Sequence, residues 1–253
     1  TVLSGTSGAL YYKPAGTTGT FASSGVNTTD NEITVETFLN LKVGDPVQFS
    51  IVDQRDGSAG TGTLPAGIAL STTYYVISYT ASTGVLQVSA TDGGSALAIT
   101  DTGTVSSPNE FQVAYDSFSS VGQVRNWSFE ISRSEIDVTT IGQTPGQFVP
   151  FREYIAGFAD GSGSATVYMT NEASALGNRM VEDVIQRQQV GAAFKLYVDQ
   201  VFNGSSVDDT KSRSIEFGAV LTSASLDVNP DDAVSVEINF RPSGAPTFDL
   251  SQS

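Results

Sequence analysis

VGQVRNWSFEISRSEIDVTTIGQ, Val121–Gln143, alternates with a period of two over its first half. Trp127, Phe129 and Ile131 fall on one side; Asn126, Ser128, Glu130 and Ser132 fall on the other. Successive side chains of a strand project to opposite faces. The pattern therefore predicts a half-buried strand with one apolar and one wet face. Glu135–Thr140 comes next as a second short strand or an extended arm. The residues before this stretch read as an N-terminal strand plus a long insertion. Those after it read as the rest of one β-rich domain.

The chain has 253 residues, enough for one large domain or two smaller ones. Its 25 glycines and abundant Thr, Ser and Val suit an all-β chain with many turns. Cysteine is absent, so no disulfide framework and no thiolate metal site can form. Histidine is absent too, which removes the commonest general base and the commonest metal ligand. No apolar run approaches the ~18 residues of a membrane span, so no membrane anchor is expected. The first residues lack the basic-then-apolar layout of a signal peptide, and a start at Thr1 fits a removed initiator Met. The net charge is −15, from 27 acids against 12 bases. Such a surface is unsuited to gripping nucleic acid, whose phosphates need Lys and Arg. It fits either plain solubility or a surface that must not stick to a polyanion.

Gly8–Lys13 reads as a first strand, and the turn-rich run Ala15–Gly25 as a loop or arm ordered by a partner. From Asn27 to Ser117 short strands alternate with Gly-rich turns. Among them are Glu32–Val35, Val47–Val52, Thr73–Thr80, Val85–Ala90 and Phe111–Tyr115, with Gly44-Asp45-Pro46, Asp56-Gly57 and Ser82-Thr83-Gly84 as turns. This is the texture of a small sandwich or barrel. Its ten acids face only Lys42 and Arg55. Further on, Ala165–Thr170, Phe194–Val201, Ile215–Val228 and Val234–Phe240 read as strands. Ala173–Gln189 is the one convincing helix: Leu176, Met180 and Val184 fall at i, i+4 and i+8, with Val181 and Ile185 alongside. Asn171 is its expected N-cap and Gly191 its expected stop. The predicted fold class is mainly β: a β-sandwich with one flanking α-helix, residues 1–26 plus 118–253, interrupted by an inserted small all-β domain, residues 27–117.

Catalytic signals are thin. Without His or Cys, Ser-His-Asp triads and thiol chemistry are excluded. Asp208-Asp209 and Asp231-Asp232 sit among turn residues, and adjacency in sequence places no carboxyls across a substrate. No EF-hand spacing is present. Gly161–Ser164 is not a phosphate loop, because no Lys or helix comes after it. No enzyme activity, catalytic residue, metal site or cofactor is expected.

Val121–Gln143, then REYIAGFADGSGSATVYM (Arg152–Met169), a lone helix and a closing strand pair resemble, in that order, the tail tube (major tail) proteins of long-tailed bacteriophages. The match rests on Glu135-Ile136-Asp137-Val138-Thr139-Thr140, on Gly157…Gly163 before a strand, and on the order strand–helix–strands. It covers the discontinuous module. VGDPVQF (Val43–Phe49) and LPAGIALSTTYYVIS (Leu64–Ser78) look like a small β module recurrent in phage structural proteins. The resemblance implies a structural virion protein of the phage tail, made in the host cytoplasm. Homohexameric rings would stack into a hollow tube, one sheet of each subunit joining a closed barrel around the lumen and leaving no free strand edge. DNA would pass through without specific binding during genome ejection. A tape-measure protein and a tail terminator are implied partners. Another virion β protein (capsid decoration or tail-tip component) and a carbohydrate-binding adhesin-like module are the alternatives.

DNA carries one negative charge per ~1.7 Å of helix axis, so a polar or acidic lumen lets it slide where a basic one would hold it. Three alternating strands supply polar faces: Asn126, Ser128, Glu130 and Ser132; Ser223, Ser225 and Asp227; Ser235, Glu237 and Asn239. These either line a channel or are the solvated faces of a sandwich, with Glu130 and Glu237 the leading acidic candidates. Phe148, Phe151 and Tyr154 are candidate anchors between subunits, since aromatics carry much interface energy, or else caps on the subunit's own core. The inserted domain is expected to project outward, because a closed barrel has no room for it inside.

Overall fold

The computed structural model describes residues 5–122, 124–139, 152–171, 175–186, 189–228 and 233–250. Among them the chain is mainly β, with one α-helix. The first sheet has eight strands, all antiparallel. It runs Ser119–Ser120, Ala9–Lys13, Ala193–Asp199, Arg213–Asp227, Ser235–Pro242, Tyr154–Tyr168, Val124–Asp137, and Thr247–Asp249 pairs with Arg213–Asp227 off this path. The second has seven, also antiparallel. Its order is Gly19–Phe21, Asn109–Tyr115, Pro46–Asp53, Tyr74–Thr80, Val85–Ser89, Glu32–Thr34, Val26–Asn27. The second sheet thus starts at Gly19, and residues 14–18 and 116–118 join the two.

Arg213–Asp227 is the corner of the first sheet. Its first half pairs with Ala193–Asp199 and its second half with Ser235–Pro242. The sheet folds over at this strand and packs on itself. Phe194 stacks on Phe240 at 4.3 Å between ring centroids, and Phe129 on Phe217 at 4.8 Å. Leu10, Leu196, Leu221, Val236 and Ile238 complete that core. The second sheet has a separate core, with Phe49, Phe111, Val113, Leu86 and Ile33 at its centre.

One predicted pair of short strands is a single long strand, and one predicted short strand is the end of another. Val124–Asp137 continues through the expected break at Ser134, where its ladder only bulges, and Tyr154–Tyr168 takes in the first four residues of the predicted strand Ala165–Thr170. Each is the other's partner along nearly its whole length, so neither needs a turn where its hydrophobic alternation stops. The helix is shorter than its periodicity suggests: Leu176–Ile185, with Ala175 in the N-cap position and no side-chain cap. Asn171 is too far upstream to cap it. Gln186 is already extended, so the helix ends before Gly191, which supplies a left-handed turn instead (φ 89°). Gln189 is then free to serve the sheet.

The helix is buried on two sides. Leu176 and Met180, with Val181 and Val184, pack on the first core as the stripe predicts, whereas Ile185 is exposed. Arg179 and Asp183, one turn apart on the other side of the helix, are fully buried toward the second sheet.

Candidate assembly surface

Four neighbouring strands bring the predicted polar residues together. Ser128 stands opposite Ser164, Ser164 opposite Asn239, and Asn239 opposite Ser223. The next row is Asn126, Thr166, Glu237 and Ser225. Asp227 faces Ser235, Glu130 faces Ser162, and Ser132 faces Asp160. All ten positions singled out from the alternation therefore share one face of the sheet. Short polar contacts tie the rows. Ser128 Oγ and Ser164 Oγ are 3.0 Å apart, Asn239 Nδ2 donates to Ser223 Oγ at 3.1 Å, and Arg241 pairs with Asp160 at 3.4 Å. On these rows the carboxylates Glu130, Asp160, Asp227 and Glu237 outnumber the guanidinium of Arg241, so the face is polar and acidic.

One irregularity makes this face possible. Phe217, Ala219 and Leu221 are buried, so unbroken alternation would point Ser223, Ser225 and Asp227 inward as well. Leu221 stands opposite Phe240 but Ser223 opposite Asn239, which leaves Thr222 as an extra residue on its strand. This bulge reverses the parity and turns Ala224 to the core. The Thr222 hydroxyl donates to the Asn239 carbonyl at 3.1 Å. Gln189 completes the site, accepting from the Leu221 amide at 2.9 Å and donating to its carbonyl at 3.3 Å. Deleting Thr222 should turn Ser223 inward and lower stability by at least about 1–3 kcal/mol, the cost of one buried hydroxyl without a partner. Thr222→Val keeps the extra residue and should be nearly neutral. Urea unfolding of the two variants checks the difference.

Beyond Gly163 the sheet narrows. Along Tyr154–Tyr168, Ser235–Pro242 pairs only with residues 163–168, so, among the described residues, 154–162 have Val124–Asp137 as their one ladder partner. The result is a two-stranded arm of roughly 20 Å from Ile131 to Asp137, at ~3.3 Å per residue. Its apolar side chains are uncovered: Ile131, Ile136, Tyr154 and Ile155 are half-exposed, and Phe158 is 92% exposed. Ile136 and Ile155 face each other across the ladder. A second bulge sets Gly157 and Phe158 against Ser134 and ejects the Phe158 ring. Arg133 Nε donates to the Gly157 carbonyl at 3.1 Å, and Ser134 Oγ to the Phe158 carbonyl at 3.3 Å. At the far end the Thr139 hydroxyl and amide hold the Asp137 carboxyl below the usual carboxylate range, and Arg152 lies 3.7 Å from it. Of the three aromatic candidates, Tyr154 is on this arm; Phe148 and Phe151 lie outside the described residues.

Sequence reasoning passed over Asp45, Arg179 and Asp183 and the exposed Phe158. The spacing of Arg179 and Asp183, four apart on the helix, was the available signal; Asp45 reads only as part of a Gly-Asp-Pro turn.

No family model and no curated protein matches the chain. Among solved structures, the virion of a native gene transfer agent particle is similar at 16% identity and a TM-score of 0.36, over 53% of this chain and 89% of that one. The tail of an empty gene transfer agent particle, refined with C6 symmetry, is similar at 16% and 0.36, over 53% and 87%. The SPP1 tail tube is similar at 16% and 0.35, over 54% and 71%. Likeness this distant assigns no role by itself.

Proposed function

We propose that this chain is a non-enzymatic structural subunit of a phage tail tube, made in the host cytoplasm and incorporated into the virion tail. The observation that carries the reading is the bare arm. A two-stranded hairpin is marginal alone in water, and this one holds isoleucines and a phenylalanine in solvent while continuing a sheet whose other end has a complete core. Such an arm is suited to lying on another copy of the same chain. The order of elements supports the same reading, since it is the one in which the sequence resembles tail tube proteins.

On this reading the subunits form hexameric rings that stack into a tube, and the acidic face carrying Glu130 and Glu237 lines the lumen. A face without excess positive charge gives DNA phosphates nothing to bind and lets the genome pass. The inserted domain, expected at residues 27–117 and built on the sheet that begins at Gly19, lies on the outer surface. A tape-measure protein inside the tube and a terminator at its end are the further partners. Electron microscopy of the purified protein across a concentration series tests this. Hollow tubes with six-fold end views are expected. Monomers that persist even after addition of tail-tip extract would overturn it.

A further inference from the structure

The two sheets have separate apolar cores, and what lies between them at the helix is polar and buried. Arg179, 1% exposed, places Nη1 2.6 and 2.7 Å from the two carboxylate oxygens of Asp45, itself 3% exposed. Its Nη2 donates to the Asn40 carbonyl, and its guanidinium lies 5.9 Å from the centre of the Tyr115 ring. Asp183 is fully buried and accepts from Tyr12 Oη at 2.6 Å and from Asn40 Nδ2 at 2.7 Å. Burial pushes its carboxyl above the ordinary aspartate value. Asn40 Nδ2 also donates to the Ala15 carbonyl at 2.9 Å, and Lys42 pairs with Glu182 at the rim. Asp45, Asn40 and Tyr115 belong to the second sheet and its loops; Arg179, Asp183 and Tyr12 belong to the first.

We propose that this network is a lock that makes the two modules one rigid, jointly unfolding body, with the helix as the shared part. The chain itself joins them through residues 14–18 and 116–118, and Gly16 is bonded to Val190 on one side and to Asn40 on the other. Chain connections that short restrain separation but leave rotation open. A buried ion pair resists rotation because swinging one module away would leave Arg179 or Asp45 desolvated without a partner, which is far more costly than losing a surface pair. The bonds to Asn40 from both helix residues fix the remaining direction. In a tube, each inserted domain would then sit at one set angle on its subunit; the lock itself stands whether or not the chain builds tubes.

The absence of cysteine allows two labels to be placed cleanly, through Ser58→Cys in the loop after Pro46–Asp53 of the second module and Ser205→Cys in the turn of the 202–207 hairpin that comes after Ala193–Asp199 of the first, both exposed. Pulsed electron spin resonance between spin labels there reads the spread of inter-module distances, and calorimetry reads the number of thermal transitions. The full chain should give one narrow distance distribution and one transition. Arg179→Met should broaden the distribution and split the transition in two. Asp45→Leu combined with Arg179→Met leaves no orphan charge, so it keeps the fold measurable if the single change does not fold, and it should broaden the distribution as well. A narrow distribution and a single transition in the double variant would overturn the lock, showing that packing alone holds the modules together.

Discussion

Replacing both Ile155 and Phe158 with Ser is expected to leave the subunit folded and raise the concentration needed for assembly by about 100-fold or more. The two side chains are 52% and 92% exposed and contribute to neither core, so the isolated subunit loses almost nothing. If they are buried against a second copy, each gives up roughly 1.5–3 kcal/mol of apolar burial, and 1.4 kcal/mol is tenfold in affinity. Every subunit carries the defect, so the loss recurs at each contact of a ring or a stack. Circular dichroism and thermal unfolding should match the parent, while sedimentation at increasing concentration should show the shift. Assembly at the parent's concentration would remove the arm from the interface and, with it, the main support for a self-assembling role. Replacing Leu70, which is 60% exposed on the second module, is the control and should change neither property.

The arm and the acidic face were differently legible in the sequence. Alternation is a local signal, and it set Asn126, Ser128, Glu130 and Ser132 opposite Trp127, Phe129 and Ile131; the parity holds, but Ile131 lies beyond the core and is exposed. The same signal was ambiguous on Arg213–Asp227, where buried Leu221 and exposed Ser223 share a parity that only the Thr222 bulge separates. A bulge is decided by the partner strand and leaves no mark in composition. The lock was hidden for a related reason. Asp45 and Arg179 are 134 positions apart, and a charged residue in a turn or on a helix reads as solvated until its partner is known. The helix itself was overextended at both ends, because amphipathic spacing continues past the point where the backbone stops being helical.

The second large effect concerns a facing pair on the core side of the same sheet, Gly163 and Phe240. Gly163 sits between Phe129 and Phe240 in the sheet, and a Cβ there would come within 2.3 Å of the Phe240 ring and 2.8 Å of the Ser128 carbonyl oxygen. Phe240 is 1% exposed, stacks on Phe194 and lies 5.8 Å from Phe217. Phe240→Ala should therefore destabilise by about 3–5 kcal/mol, the range for removing a buried ring that its neighbours cannot fill. That is a large part of the roughly 5–15 kcal/mol that holds a typical domain folded. Gly163→Ala should cost roughly 1–3 kcal/mol by overpacking, because the ring must leave its stack to make room. Combined with Phe240→Leu, which lacks the ring atoms nearest the new methyl, Gly163→Ala should cost less than it does alone. It should not become neutral, since the Ser128 carbonyl remains in the way. Residues in direct contact are expected to couple in this manner, and a double-mutant cycle by urea unfolding measures the coupling. Strict additivity of the two changes would mean that the glycine is there for the backbone, at the Ser128 carbonyl, and not for the ring on the core side of the sheet.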